Sequence, residues 1–486
     1  MEKAYEFFRE GVENYRSVGN KISAVTGEYY MALVLEETGD LSKAIDLYYK
    51  VMEKAGTLCF KNVEINAKLK IIKYRLKTET TYPKIQEILE LKNLIPKNFT
   101  GELIEVNLIL AEIYSKTHDH QEKEEVLAEA LNISEENSHV YGFIKTCHII
   151  NKISNFAWFT GGGNNFVALN TENGVCSLLL TENKIYLLTD NIEAGRIKQE
   201  EITDIPVDDI IWPWYKNNNL YDNVRKIIRG NVASDKPDGQ FETVDIEKIH
   251  FPLIDIEIER FKNLGRKTTK IISGICNEIN PGITEVEVAG KLSSSLWANG
   301  CIPVVILIAS DERITNYRHP IPTSKKIDKY AMIAVCAYEK GLILSMTRIV
   351  SFIKPSDEII RKHLAVCNVD AAFIANTKPG NTVGDVFNKG IKTYEETGFA
   401  DEWKKHHQGG PCGYKTRYYR ATEKNNEIIT PNQAFAWNPS ITGTKSEDTI
   451  ITTENAPLII SEDPKWPKQN IRYEGISIAR PDILVR

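Results

Sequence analysis

The sequence predicts a multidomain chain: an all-α N-terminal region, a small α/β domain, and a larger α+β domain. Three observations carry that expectation. Apolar residues recur at helical spacing to about residue 150. Short β-rich runs then take over. Beyond residue 255, long amphipathic stretches alternate with continuous apolar runs of buried-strand length. The boundaries set in this way are 1–150, 151–254 and 255–486.

In the first region Leu33, Leu41, Ala44, Ile45, Leu47, Tyr48 and Val51 mark helix faces, and Thr38-Gly39-Asp40 separates two helices. The segment Ala32–Met52 overlays Ala111–Leu131, matching Ala32 with Ala111, Thr38 with Thr117 and Asp40 with Asp119. A weaker copy around Ile72–Leu91 fills the interval. The pattern resembles degenerate tetratricopeptide-type repeats, which bury their faces by stacking and present a surface for peptide or protein partners. A plain helical bundle is the rival reading. His118 and His120 fall at a repeat turn, where solvation is expected.

In the second region FVALNT, SLLLTE and KIYLLTD read as strands, with Asn173-Gly174 as a hairpin turn and Glu182-Asn183 as a second turn. Gly161-Gly162-Gly163 reads as a flexible turn, because no Lys-Ser/Thr follows to make a phosphate loop. Trp212-Pro213-Trp214-Tyr215 reads as packing. In the third region Ile254–Asn280 is a long helix ended by Pro281-Gly282. Thr284 caps the next helix, with Glu287 completing a capping box. IPVVILIA and AMIAVCAY are buried strands.

The 486 residues carry 60 Lys and Arg against 66 Asp and Glu, a formal net charge of -6. No basic excess favours nucleic acid or a membrane surface, and neither partner is expected. Eight cysteines, none in CxxC or zinc-finger spacing, read as free thiols in a reducing compartment. The N-terminal stretch is charged and helical rather than a signal peptide, and the longest apolar run, Ile302–Ala309, is too short to span a bilayer. A cytoplasmic protein is expected. GxSxG is absent, and Gly443-Thr444-Lys445-Ser446 lacks the order of a phosphate loop.

Four ordered motifs carry a family resemblance: NPGITEVEVAGKL, YRHPIPTSKKIDKYAMIAVCAYEKGLILSMTRIV, HHQGGPCGY and FAWNPSITGTKSEDTIITTE. Together they resemble the pita-bread family of creatinase, prolidase, aminopeptidase P and methionine aminopeptidase, over about residues 155–470. The resemblance implies a creatinase-like N-terminal domain at 151–254, a pita-bread domain at 255–486 and a homodimer. It also implies two divalent ions held by two Asp, one His and two Glu. The resemblance places the first Asp at Ala334, the second at Ser345, the His at Gly410 and the first Glu at Asn438. Only the last Glu survives, as Glu447, and the family's downstream His falls at Arg417. Ala and Gly offer no side-chain ligand, and neutral Ser and Asn are poor substitutes for carboxylate. No metal and no other cofactor is therefore expected. Asp328, Glu339 and Asp448 sit at the wrong spacing to replace the missing acids.

His319, in YRHPIPT, matches the position at which creatinase resembles a catalyst working through a His without metal; it is the expected acid/base. The remaining substrate-binding candidates are His406, His407, Gln408, Arg417, Asn438, Ser440, Glu447 and Arg348, the last with a mainly structural role as its alternative. On a strand His406 and His407 would face opposite sides, with His406 turned inward. His363 is assigned to an exposed helix face. Gly410 would open space where the family has its His. Cys336 and Cys412 read as small packing residues. The expected function is a metal-independent, creatinase-like hydrolase or lyase acting on a C–N bond of a small polar, amino-acid- or peptide-like substrate. Two alternatives stand beside it: a non-catalytic pseudopeptidase binding module, as in the histone-chaperone relatives, and an Xaa-Pro-type metallopeptidase with an altered metal site.

Overall fold

The chain divides into two units, Met1–Lys145 and Thr146–Arg486, in the computed structural model. It describes residues 2–486 apart from 18, 59, 79–83, 96–99, 118–120, 124, 127–146, 182–183, 217–219, 229–231, 238 and 455.

The first unit holds helices α1 (Glu2–Ser17), α2 (Lys21–Glu37), α3 (Leu41–Thr57), α4 (Lys61–Thr78), α5 (Ile85–Leu94) and α6 (Thr100–Thr117). The break between α2 and α3 follows from Gly39 at φ +83° and from Asp40, whose carboxylate accepts from the Lys43 amide. Val25 and Ala32 of α2 pack on Ala44, Tyr48 and Val51 of α3. Among the faces so buried, Glu28 is held by Lys54 at 2.7 Å and by Arg16. The second copy of the sequence pattern enters α6, but its turn with His118 and His120, and residues 127–131, lie outside the described residues.

The second unit opens with β1 (Cys147–Lys152) and α7 (Ile153–Phe159). It continues through β2 (Asn173–Leu180), β3 (Ile185–Asp190), β4 (Asp208–Trp212), α8 (Leu220–Ile227), β5 (Val232–Ser234) and β6 (Glu242–Thr243). These strands form one mixed sheet in the order β4-β3-β2-β1-β5-β6. Asn173-Gly174 is not the expected hairpin turn. Asn173 pairs with Lys152, and Gly174 lies within the strand, because a Cβ there would sit 2.0 Å from the Asn165 side chain. A close approach, not a turn, requires that glycine. The Trp-Pro-Trp-Tyr cluster also departs from expectation: Trp212 packs on the sheet, but Trp214 and Tyr215 are exposed.

The remainder pairs two helices with a sheet twice over. In the first half α9 (Asp255–Glu278) and α10 (Glu285–Ala298) cover the sheet β18-β9-β8-β7, made of β7 (Ile302–Ser310), β8 (Tyr330–Glu339), β9 (Leu342–Ser351) and β18 (Leu484–Val485). Phe261, Leu264, Val288 and Leu292 meet Ile308, Ile333, Leu344 and Met346 there. The Thr284–Glu287 capping box starts α10 as the sequence indicates. In the second half α11 (Asp357–Asn376) and α12 (Val383–Glu396) cover β10 (Gly409–Cys412), β11 (Ala434–Trp437), β14 (Asp448–Ile451) and β15 (Leu458–Ile459). Phe373 stacks on Trp437 with centroids 4.6 Å apart. Small pairs β12 (Ser440–Ile441) with β13 (Thr444–Lys445), and β16 (Lys468–Tyr473) with β17 (Ile476–Pro481), complete it. Among the described residues no helix is long and apolar enough to cross a membrane.

Polar groups lie deep in the second half. His363 is buried rather than on an exposed face: Nδ1 lies 2.7 Å from Thr444 Oγ1 and Nε2 lies 3.0 Å from the Pro481 carbonyl. Arg480, fully buried, pairs with Asp370 at 2.7 Å and Asp448 at 2.6 Å, and Asp448 also meets Arg348 at 3.0 Å. Replacing Arg480 by Met leaves two buried carboxylates short of a cation. The expected loss is about 3–5 kcal/mol, read as a lower urea midpoint; an unchanged midpoint would contradict a stabilising role for the network.

Candidate functional site

A cavity of about 490 Å³ lies where the β7–β8–β9 face meets the segment 406–420 and the strands following Asn438. Alternation along the strands builds its floor. Val305 pairs with Cys336 and Leu307 with Ala334, so the same side of both strands faces the cavity. Cys336 in turn pairs with Ser345 of β9, and its thiol lies 3.3 Å from the Ser345 hydroxyl. Burial pushes that thiol's pKa up, which keeps it protonated and matches its reading as a packing group.

Glu447 is the anchor. It is 5% exposed, and its carboxylate accepts from Thr347 Oγ1 at 2.6 Å and pairs with Lys445 at 2.7 Å and Arg417 at 3.2 Å. Burial alone would raise its pKa, but the fields of Lys445 and Arg417 outweigh burial and hold it below the usual carboxylate range. Arg417 also donates to Ser345 Oγ at 3.1 Å. Of the other acids, Glu339 pairs with Lys267, Asp448 is taken by Arg348 and Arg480, and Asp328 is exposed beside Lys329. None of these three is among the residues lining the cavity.

Three imidazoles stand at one side. His319 Nε2 is 3.0 Å from His406 Nε2, and the rings of His406 and His407 stack with centroids 4.4 Å apart. One ligand atom from each lies within 4.8 Å of the others. The two adjacent histidines do not face opposite sides, because His406 ends the short 3-10 turn Glu402–Lys405 and precedes β10 rather than belonging to it. His407 lines the cavity, and His406 sits behind it, buried, against His319. Burial first, then Lys445, pushes His406 down to about 2. Burial, then Arg417 and Lys445, pushes His407 down to about 4, and burial and Lys445 also lower His319. All three rings are neutral near pH 7.

The cavity brings together His319, His407, Arg417, Asn438 and Glu447, but not every expected group. Gln408 is consumed by the scaffold: it donates to the carbonyls of Trp403 and His406 and accepts from Tyr394. Arg348 is buried in the network under the strands, bonded to Thr347 O, Asp448 and Ser461 O. Ser440 is buried off the cavity, its amide donating to Tyr394. Gly410 opens no space. At φ +152° a Cβ there would lie 2.5 Å from the Tyr419 carbonyl, so backbone fills the place of a side chain. Lys445 and Arg420 line the cavity and had escaped the sequence reading. The closeness of Lys445 to Glu447 in the KSE run was the available signal; Arg420 offered only its spacing of three from Arg417.

Residues 259–454 match the model of metallopeptidase family M24. This region has the pita-bread fold. The uncharacterized peptidase YqhT of Bacillus subtilis is 24% identical over 230 residues, which is 45% of this chain and 65% of that protein. The probable dipeptidase PepE of Mycobacterium tuberculosis is 22% identical over 221 residues, 43% of this chain and 58% of that protein. The chain thus spans less than two thirds of the length of these relatives. The prolidase of Pyrococcus horikoshii superposes with a TM-score of 0.57 at 18% identity, covering 68% of this chain and 96% of that one. The N-terminal domain of the FACT complex subunit SPT16 of chickpea superposes with 0.52 at 13%, covering 68% and 93%.

Two outcomes follow for this domain. Unfolded imidazoles titrate near 6.5 and the buried ones far lower, so the unfolded state binds more protons below neutrality. Stability falls as pH drops through 6.5 toward about 4, and His407→Gln flattens that fall; urea midpoints against pH check it. Gly410→Ala costs about 1–3 kcal/mol from backbone strain alone, before the clash with Tyr419. Its thermal midpoint reads this, and an unaltered midpoint would contradict the packing described.

Proposed function

We propose that the M24-type domain is a metal-independent, creatinase-like enzyme that acts on a C–N bond of a small polar, amino-acid- or peptide-like substrate, with His319 moving the proton. The observation that supports this reading is the state of Glu447. It stands at the one ligand position the resemblance leaves with an acid, and it is already neutralised by Lys445 and Arg417. The other four positions hold Ala334, Ser345, Gly410 and Asn438. One carboxylate bound by two fixed cations does not fit a pair of divalent ions, which need several anionic oxygens.

In the hydrolytic form of the reaction, water adds to the carbon of the C–N bond while His319 accepts its proton. His319 then returns a proton to the leaving nitrogen as that bond breaks. Arg417 and Lys445 stabilise the negative charge that develops on oxygen. His406, 3.0 Å away, positions the His319 ring through a hydrogen bond between the two Nε2 atoms. The helices of the first unit serve as a surface for a peptide or protein partner.

A second reading draws on the family match itself: an Xaa-Pro-type metallopeptidase with an altered site, using the three clustered imidazoles as donors for one ion. The cations that depress these imidazoles would repel such an ion too. Elemental analysis of protein purified without chelator, and a screen of dipeptides and N-substituted amino acids on that protein before and after chelator treatment, separate the readings. The expected result is no stoichiometric metal, turnover that survives chelator, and a loss of roughly 100-fold or more in His319→Ala. Stoichiometric metal with chelator-sensitive cleavage of Xaa-Pro dipeptides would favour the second reading, and ligand binding without any product would favour a pure binding module.

A further inference from the structure

The cavity carries more positive charge than the proposed chemistry uses. Lys445, Arg417 and Arg420 all line it, against the single acid Glu447, and the nearby imidazoles are neutral near pH 7. Lys445 is 7% exposed, so water does little to screen it. The guanidinium of Arg420, at the exposed edge, makes no hydrogen bond or ion pair among the described residues. Glu447 pairs with two of the three cations, Lys445 and Arg417, but its single negative charge balances only one of them. Two positive charges remain on a partly enclosed wall, and such charges are retained where an anionic partner completes them.

The neutral groups around these cations say more about that partner. Asn438 Oδ1, Arg417 Nε, Tyr419 OH and His407 Nδ1 are buried and make no hydrogen bond among the described residues, and all four residues line the cavity. Buried polar atoms are nearly always paired, so several orphans in the residues of one cavity wall leave hydrogen-bonding capacity that a ligand meets once those side chains turn toward it. Asn438 Oδ1 accepts and asks for an N–H. Arg417 Nε donates and asks for an oxygen. Val305 and Leu307 supply an apolar strip across the floor, where a short aliphatic chain fits.

We infer that the cavity selects a small dicarboxylate carrying an N–H group, of the kind an N-acylated or N-terminal-linked acidic amino acid presents. One carboxylate is held between Arg417 and Lys445. The second reaches Arg420 at the mouth, and the N–H donates to Asn438. Arg forks match carboxylate geometry, and two such contacts on one ligand give charge-count selectivity rather than mere attraction. This rests on the proposed amino-acid-like substrate class and narrows it. It also gives the cations a purpose beyond neutralising Glu447.

Calorimetric titration of the full chain in the presence of chelator tests the inference without reading turnover. The probes are N-acetylglutamate, its neutral-side-chain isostere N-acetylglutamine, and inorganic phosphate. The expected result is that N-acetylglutamate binds about tenfold or more tightly than N-acetylglutamine. Arg420→Gln, a change at an exposed side chain, abolishes that difference while leaving N-acetylglutamine binding as it was. Equal affinity for the two acetylated compounds, phosphate binding as tightly as N-acetylglutamate, or an Arg420→Gln variant with undiminished discrimination would each overturn it. If these compounds discriminate as expected but nothing is turned over, the catalytic reading fails and the ligand class stands. If turnover depends on His319 while charge is ignored, the reverse holds.

Discussion

The carboxylate of Glu447 is the constraint on which the site depends. A buried carboxylate without partners costs several kcal/mol, and this one sits at the meeting of three elements. Thr347 on β9 donates to one oxygen, Lys445 approaches from the end of β13, and Arg417 reaches in from the loop after β10. Satisfying that one acid therefore fixes the relative placement of both halves of the domain around the cavity. The same two cations then determine the state of everything nearby. They reinforce burial in keeping the imidazoles neutral, and they leave Glu447 ionised but electrically spent.

Below the cavity the scaffold repeats the theme. Arg348 and Arg480 are almost wholly buried and are neutralised by Asp448 and Asp370. Asp448 immediately follows Glu447, so the chain places two adjacent acids on opposite duties, one facing the cavity and one turned into the core. Period-two alternation at the start of β14 is what separates them. The neighbouring β8–β9 ladder runs without a bulge from Tyr330–Ser351 to Glu339–Leu342, which keeps Ala334, Cys336 and Ser345 in fixed register across the floor.

Much of this was legible in the sequence. Helical and strand periodicity indicated α9, α10, β7 and β8, and four ordered motifs pointed to the fold that the structural comparisons share. His319, Arg417, Asn438 and Glu447, singled out from motif spacing, all line one cavity, because that spacing carries over when the strands that bear it are retained. What the sequence hid was local. Asn173-Gly174 looked like a turn, but tertiary crowding by Asn165 demanded the glycine. His406 and His407 looked like alternating strand residues, but they lie between a 3-10 turn and β10, and their rings stack. Gly410 looked like vacated space, yet the Tyr419 backbone fills it. His363 looked solvated from its helix position, and two hydrogen bonds bury it. Only for His363 did distant residues decide the outcome; in the other cases the deciding neighbour lies within nine residues but is brought close by a fold that periodicity does not reveal.

The most direct measurement of the central claim is anomalous diffraction from crystals grown with manganese, recorded at its absorption edge. No anomalous peak is expected within bonding distance of the Glu447 carboxylate, with the Lys445 ammonium still paired to it. One or two strong peaks bonded to Glu447, with Lys445 and Arg417 swung away, would contradict it.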